Sequence, residues 1–296
     1  MRRSVSDARA RVAILPLAVC LIALSACAPL AVPSAQGGEA RLALERPTQP
    51  PQVTVLDVGE GDAILLRHGD RAVLIDGGPS PERLKEALAR QGVKKLDAVV
   101  LTHLHPDHSA GIEHLSETVP FEKLYSPAGF EVVVPSPTLI EVESAAGRTS
   151  ERLAAGDGLD VGDIHLSVLW PPRGVDLRTQ NENSLVALAT TPAGSVLLAA
   201  DAEAPTVESL IDSGKLGRVD VLKVGHHAAE KSVSRHMLEA LRPRYAVVSV
   251  GEGNPYGYPK QAALSLLADG GVTTLRTDVV GDITIALGAP GAEIRR

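Results

Sequence analysis

Three histidines and one aspartate fall within six consecutive positions, and this cluster limits what the chain can fold into more than any other feature. The segment reads His103-Leu104-His105-Pro106-Asp107-His108. Neutral imidazole and carboxylate oxygen are the usual zinc ligands where no thiolate is present. The segment therefore predicts a loop that holds two metal ions. The alternatives are a histidine-rich surface loop, and a metal-binding loop without catalysis.

The surroundings of the cluster favour a site at the end of a strand. Residues 96–102 are an apolar run typical of a buried strand, and Ser109 is a candidate cap for a helix that follows. The ligands would then lie on a strand-to-helix turn. Proteins of the α/β class place their chemistry at such turns.

The cluster resembles the His-x-His-x-Asp-His signature of the metallo-β-lactamase superfamily. Further motifs follow in the order found in one branch, the soluble domain of the ComEC competence proteins, at residues 55–62, 74–78, 181–186, 198–201, 221–227 and 254–259. Together these motifs cover roughly residues 52–287. The resemblance implies an αββα sandwich, in which two mixed β-sheets pack together and helices cover them.

The resemblance also implies a set of metal ligands. The predicted set is His103 and His105 for one ion, Asp107 and His108 for the second, Asp201 as a bridge, and His226 to complete the second ion. The adjacent His227 is the alternative to His226, and is otherwise predicted to bind substrate. Zinc fits these ligands best, and manganese tolerates the same mixture of carboxylate and imidazole.

One member of this set has another interpretation, and one ligand common in the wider superfamily has no clear counterpart here. Asp201 precedes a helix-like stretch and could be an ordinary helix cap, although the cluster favours a ligand. The wider superfamily also has a further histidine between the loop and Asp201. Here only His114 and His165 are available, one on the helix after the loop and the other on an alternating segment that predicts exposure. The ComEC-like branch lacks that histidine too.

Several polar residues are candidates for contact with the substrate. Asn183, Ser184 and Asn254 could orient it, or could simply form turns. Lys223 is predicted as a catalytic cation for a phosphate oxygen, or as a lysine that reaches solvent from a strand edge. Tyr258 stands where the ComEC-like branch usually has histidine, so substrate contacts are expected to differ.

The expected reaction is hydrolysis. Two divalent ions make hydroxide available near neutral pH and polarise the bond under attack, and both ions can share the charge that develops on a phosphoester. We predict Asp107 as a catalytic residue as well as a ligand, and a phosphodiesterase or nuclease as the activity. The alternatives are a lactone or β-lactam hydrolase, and a catalytically inactive lipoprotein that keeps the fold for binding.

The first 27 residues predict export. Arginines 2, 3, 9 and 11 precede an apolar stretch at residues 12–23, which is too short for a convincing membrane span. Leu24-Ser25-Ala26-Cys27 resembles a bacterial lipobox, which implies a lipid on Cys27 and an anchor in the cell envelope, on its periplasmic or outer face. The alternative is ordinary secretion after cleavage at Ala26. Residues 28–51 predict a flexible tether, and residues 52–296 the hydrolase domain.

Charge and composition narrow the choice of partners. The net charge is −7 and aromatic residues make up 2% of the chain, which weighs against tight non-specific DNA binding. Outside the signal segment no apolar stretch of spanning length occurs, so we expect no transmembrane channel in this chain. The expected substrate is a phosphodiester, in nucleic acid or in a phosphorylated envelope component.

Periodicity predicts the remaining elements. Strands are predicted at residues 53–58, 62–67, 71–75, 159–169, 185–190, 195–200, 219–224, 245–250 and 272–277. Helices are predicted at residues 81–91, 203–212, 233–241 and 259–268. Residues 126–150 contain several prolines and glycines and predict an irregular insertion that could line the cleft.

Overall fold

The computed structural model describes residues 49–128, 137–175, 177, 179–288 and 291–295. The predicted signal segment, Cys27 and the tether as far as residue 48 lie outside the described residues. Within the described ranges, no helix combines the length and apolar character needed to cross a membrane.

The strands alternate with helices along most of the chain. In chain order the strands are β1 (Gln52–Val55), β2 (Ile64–His68), β3 (Arg71–Ile75), β4 (Leu96–Val100), β5 (Phe121–Pro127), β6 (Glu151–Leu153), β7 (Gly158–Val161), β8 (Ile164–Trp170), β9 (Val186–Thr191), β10 (Gly194–Leu198), β11 (Val221–Lys223), β12 (Tyr245–Val248), β13 (Thr273–Arg276), β14 (Ile283–Ala286) and β15 (Glu293–Arg295). The helices are α1 (Pro81–Arg90), α2 (Pro106–Ser109), α3 (Leu115–Thr118), α4 (Pro137–Ala146), α5 (Ala204–Asp212), α6 (Arg235–Leu241), α7 (Gln261–Asp269) and α8 (Thr277–Val280).

The strands form two mixed sheets. The first sheet has the order β15-β14-β1-β2-β3-β4-β5-β6, and the second has the order β13-β12-β11-β10-β9-β8-β7. In the first sheet, β3 to β6 pair in parallel and the other neighbours are antiparallel. In the second sheet, β10 to β13 pair in parallel and β7 to β10 are antiparallel.

Alternating side chains separate the faces of each sheet. On β10, Val196 and Leu198 lie in the core between the sheets, whereas Leu197 lies in the core under the helices. On the outer side of the first sheet, Leu84 and Leu88 of α1 are fully buried. Helices α5, α6 and α7 cover the second sheet in the same way. The predicted αββα sandwich is therefore confirmed.

Three local predictions are wrong. The strand predicted at residues 159–169 is two antiparallel strands, because Gly162 and Asp163 form a two-residue turn in which Gly162 has φ +59°. The segment predicted as irregular continues β5 to Pro127 and contains α4, whose Leu139 and Val142 are buried with the spacing of a helix face. Ser109 ends α2 and directly precedes a short 3-10 helix, Ala110–Ile112, but its side chain does not cap that helix, because its hydroxyl donates to the His105 carbonyl instead.

The topology gathers the predicted site at one edge of the sandwich. Parallel strands β3 and β4 end just before Asp76 and the 103–108 cluster, and β10, β11 and β12 end just before Asp201, the paired histidines and Ser249. Ligand sites of open α/β sheets lie outside the carboxyl ends of parallel strands. The fold therefore brings together segments that are far apart in sequence.

Candidate metal centre

Asp76 fixes the loop that carries the histidine cluster. Its two carboxylate oxygens accept hydrogen bonds from the backbone NH and the hydroxyl of Thr102, at 2.7 and 2.6 Å. Oδ2 also accepts from His108 Nδ1 at 2.8 Å. A proton held on Nδ1 leaves the Nε2 lone pair of His108 free to face inward, which is how metal-binding histidines are usually oriented.

Four side chains form the first of two ligand groups. Asp107, His108, Asp201 and His227 each place one ligand atom within 4.8 Å of the others. Asp201 Oδ1 lies 3.2 Å from His108 Nε2 and 3.4 Å from His227 Nε2, which is also 3.3 Å from Asp107 Oδ2. Nδ1 of His227 donates to the Ser249 carbonyl at 2.9 Å, so its Nε2 also carries the lone pair.

His103, His105 and Asp201 form the second group. Nε2 of His103 lies 3.1 Å from His105 Nδ1 and 3.6 Å from Asp201 Oδ2. Asp201 therefore offers one oxygen to each group, as expected for a bridging carboxylate. Because its backbone begins no helix and the cap of α5 is Glu203, the alternative of an ordinary cap does not apply.

Unpaired buried atoms show that a cation fits between these side chains. Nε2 of His108, Nε2 of His227 and Oδ1 of Asp201 are all buried, and no other described residue forms a hydrogen bond to them. A buried polar atom without a partner costs roughly 1–3 kcal/mol. Three such lone pairs that face one another are accounted for if they bind one divalent ion.

Strained backbone accompanies the same residues. Asp76, Ala200, His226, His227 and Ala228 all have φ between +45° and +60°. Residues other than glycine rarely adopt this conformation, and it persists where the surrounding structure demands it. Here the strain turns the chain sharply at the strand ends and directs the neighbouring side chains into the site.

The predicted preference for His226 over His227 is corrected by this geometry. His227 lies in the first ligand group and is 1% exposed, so it is not a substrate contact on the cleft surface. Nε2 of His226 is 4.0 Å from Asp201 Oδ2 and 3.4 Å from Tyr258 Oη, and its Nδ1 is 3.2 Å from Glu203 Oε1. The side chain of His226 is instead partly exposed at the rim of the site.

Lys223 is not the catalytic cation that the sequence predicted, and it does not reach solvent. It is fully buried, and its ammonium group forms an ion pair with Asp62 Oδ2, whose carboxylate is 1% exposed. The Asp62 backbone NH donates to the Asp107 carbonyl at 3.2 Å, and Asp62 Oδ1 lies 3.7 Å from His227 Nδ1. Asp62 is not among the site residues predicted from the sequence, although its position at the end of a glycine-rich turn was the available signal.

The three polar residues predicted to contact substrate form turns instead. Asn183 is 2% exposed, and its amide bonds to the backbone of Leu177 and Thr179. Ser184 is fully buried and donates to the Asn181 carbonyl. Asn254 donates to the Gly251 and Tyr258 carbonyls and accepts from the Tyr258 NH. The alternative of turn formation is thus the one observed.

A cleft of about 540 Å³ adjoins the second ligand group. Its lining residues are His105, Thr179, Gln180, Asn181, Glu182, Glu203, Pro205 and Thr206. Asp107 does not line this cleft, but its side chain is 28% exposed, so solvent also reaches the first ligand group. His114 and His165, the remaining candidates for a first-ion ligand, are exposed and pair with Glu117 and Asp160.

Charge within the site is divided between carboxylates and imidazoles. Burial lowers the pKa of His108, but the Asp201 and Asp76 carboxylates outweigh it and raise the pKa well above its ordinary value. Burial is likewise outweighed at His227, whose pKa is raised by Asp107 and Asp201. Burial raises the pKa of Asp107, yet His227 and His108 hold it at about 2. For His103 and His105, burial prevails and lowers the pKa.

Comparison with known proteins agrees with the fold. The family model described as the Metallo-beta-lactamase superfamily matches residues 56–252. ComE operon protein 3 of Bacillus subtilis is 31% identical over 252 residues, which cover 78% of this chain and 32% of that protein. Competence protein ComA of Neisseria gonorrhoeae is 30% identical over 250 residues, which cover 82% and 33%. The chain thus spans about a third of the length of these relatives.

A solved structure shares the architecture. The metallo-beta-lactamase fold protein YhfI from Bacillus subtilis superposes with a TM-score of 0.53 at 16% identity, covering 76% of this chain and 95% of that one. This similarity concerns the fold. Together with the family match it confirms the resemblance that the motifs predicted.

We predict that Lys223→Met lowers the free energy of unfolding by about 3–5 kcal/mol, because it leaves the Asp62 carboxylate buried without a partner. Chemical denaturation at a fixed zinc concentration measures the loss. The double variant Asp62→Asn/Lys223→Met should recover part of it. Exposed Lys215 supplies the control, since Lys215→Met should change stability by less than about 0.5 kcal/mol. If Lys223→Met and Lys215→Met lowered the free energy of unfolding equally, the ion pair between Lys223 and Asp62 would not be stabilising.

Metal binding should release protons. At His108 and His227 the nearby carboxylates outweigh burial and raise the pKa of each imidazole, which favours the protonated form in the metal-free protein, whereas a metal ligand must be deprotonated. The apparent zinc affinity should therefore rise with pH until the pH of the solution exceeds the pKa values of the two histidines. Calorimetric titration of zinc into chelator-stripped protein, in two buffers of different ionisation enthalpy, measures the released protons. A measured binding enthalpy that is the same in both buffers would contradict this prediction.

Proposed function

The chain belongs to the metallo-beta-lactamase superfamily, and from this premise we propose that it is a metal-dependent hydrolase that cleaves phosphodiester bonds. We further propose that it acts outside the cytoplasm, held to the cell envelope by a lipid on Cys27. The relatives named above span far more residues than this chain, so the activity is argued from the chain's own site.

The observation that carries the proposal is the set of unpaired atoms around Asp201. His108 Nε2, His227 Nε2 and Asp201 Oδ1 are buried and face one another, and the other Asp201 oxygen lies 3.6 Å from His103 Nε2. We propose His103, His105 and Asp201 as ligands of one ion, and Asp107, His108, Asp201 and His227 as ligands of the second. The donors are imidazole and carboxylate, which favours zinc and tolerates manganese.

When bound, two divalent ions lower the pKa of a coordinated water and polarise the bond under attack. The protein residues supply the geometry for this chemistry. Asp76 holds His108 in one tautomer, and the Ser249 carbonyl does the same for His227. Asp107 remains a carboxylate at neutral pH and, with its side chain 28% exposed, is the most accessible member of its ligand group, whereas His105 of the other group lines the cleft.

Two features favour a phosphodiester over a carbonyl substrate. A centre with two ions and two carboxylates, one of them shared between the ions, suits a transition state whose charge is spread over phosphoryl oxygens. Among phosphodiester substrates we propose nucleic acid, because the chain resembles the ComEC competence proteins and one relative is named Competence protein ComA. A lactone or β-lactam substrate, and a binding role without catalysis, are distinguished from this proposal by experiment.

We predict that the full chain, purified in detergent without chelator, contains two metal ions per chain and hydrolyses bis-p-nitrophenyl phosphate. Chelator should abolish the activity, and zinc or manganese should restore it. Asp107→Ala should lower kcat by at least about a hundredfold, because the second ion loses a ligand at the open side, while the fold remains intact. Metal analysis, initial rates and circular dichroism measure these effects.

Asp163→Ala removes an exposed carboxylate far from the ligand groups and serves as the control. Full activity in Asp107→Ala would refute the proposed role of this residue. Metal-loaded protein that is inert towards the phosphodiester and towards linear DNA would favour a carbonyl substrate. Folded protein that cannot retain metal would favour a binding lipoprotein.

We predict that Cys27→Ser moves the protein from the membrane fraction to the soluble periplasmic fraction of a bacterial host, because the lipid cannot be attached. The two cysteines of the chain provide a matched control, since Cys20→Ser should leave the protein in the membrane fraction. Fractionation and detergent extraction measure the distribution. Wild-type protein that is soluble, with an N-terminus at Cys27, would instead support ordinary secretion.

A further inference from the structure

Two of the four tyrosines in this chain are stacked beside the metal centre. The rings of Tyr256 and Tyr258 lie 5.6 Å apart with an angle of 21° between their planes. The Tyr258 ring is 5.6 Å from the ring of His226 and 6.2 Å from that of His227. Tyr256 is 59% exposed and is one of the few large hydrophobic residues on the described surface. The stack therefore runs outward from the ligands and ends in the solvent-exposed ring of Tyr256.

Hydrogen bonds hold this tyrosine pair in place. Asn254 bonds to both the NH and the carbonyl of Tyr258, at 3.0 and 2.7 Å. Lys260 Nζ donates to the Tyr256 carbonyl at 2.7 Å, and the Lys260 backbone NH donates to the Ala228 carbonyl at 2.9 Å, next to His227. The rings are thus positioned relative to the metal ligands before a substrate arrives, which lowers the entropic cost of binding.

The scarcity of positive charge in the cleft indicates which substrate the two tyrosines would bind. None of the cleft-lining residues in the described part of the chain is lysine or arginine, and Glu182 and Glu203 are among them. Affinity for a phosphodiester therefore cannot come from many phosphate contacts. Proteins that bind single-stranded nucleic acid gain a large part of their affinity by stacking bases on aromatic rings. Beside the tyrosine pair, the ammonium group of Lys260 lies 5.3 Å from the centre of the Tyr258 ring.

We propose that Tyr256 and Tyr258 form a stacking subsite for the nucleobase that adjoins the phosphodiester in the metal centre. This inference rests on the proposed function and names its substrate class, a nucleotide diester or the end of a single strand. The outer face of Tyr256 receives the base, and Tyr258 supports it from behind. Since stacking replaces ionic contacts, the KM for a nucleotide diester should depend weakly on salt.

The test compares two diesters that share a leaving group. Thymidine 5′-(p-nitrophenyl phosphate) carries a base, and methyl p-nitrophenyl phosphate does not. With the zinc-loaded full chain, Tyr256→Ala should raise KM about tenfold for the thymidine diester, leave its kcat unchanged, and leave kcat/KM for the methyl diester unchanged. Tyr256→Phe should restore the wild-type KM. Ile140→Ala, which shortens an exposed apolar side chain on α4, is the control.

Binding of thymidine 5′-phosphate and ribose 5-phosphate, measured by calorimetry, gives a readout independent of turnover. Tyr256→Ala should weaken the first about tenfold and leave the second unchanged. Equal effects on both ligands, or none, would overturn the subsite. If the wild type hydrolyses neither diester but binds thymidine 5′-phosphate through Tyr256, the proposed function fails and the subsite stands. If it hydrolyses both diesters equally in all variants, the function stands and the subsite fails.

Discussion

The arrangement of the site depends on one buried ion pair, between Lys223 at the end of β11 and Asp62 in the turn before β2. The pair joins the two sheets directly behind the ligands. Neither charge reaches solvent, and a charge in that position is tolerated only beside its partner. The turn also contacts Asp107 closely, since a Cβ at Gly61 would lie 1.8 Å from the Asp107 carbonyl oxygen. The ion pair therefore fixes the distance between Asp107, which follows a strand of the first sheet, and His227, which follows a strand of the second.

Each half of the sandwich alone holds an incomplete ligand set. The 103–108 loop follows a strand of the first sheet, whereas Asp201 and His227 follow strands of the second. Asp201 is the element that both groups share, with one oxygen directed to each. The buried unpaired atoms are thus produced by the packing of the sheets against each other, and the free energy of that packing offsets the cost of keeping them desolvated.

Local spacing made part of the site predictable from sequence. The histidine cluster and Asp201 lie at the ends of apolar runs, where side-chain position follows from the strand itself. Residues whose role depends on distant partners were not predictable: Lys223 meets Asp62 at a separation of 161 residues. The choice between His226 and His227 depends on left-handed backbone at both residues, which no sequence pattern encodes for residues other than glycine. The β7–β8 turn and α4, in contrast, carried recognisable signals in Gly162-Asp163 and in the spacing of Leu139 and Val142.

The pairing of β1 with β14 brings the beginning and the end of the sandwich to neighbouring positions. Gln52 lies opposite Ala286 in antiparallel register, and β15 continues the same edge of the sheet. A unit whose first and last strands are adjacent can be joined to another protein, or inserted into one, without separating any of its strands. Such a unit behaves as a portable module in evolution, in keeping with relatives in which the matching segment occupies about a third of a much longer polypeptide.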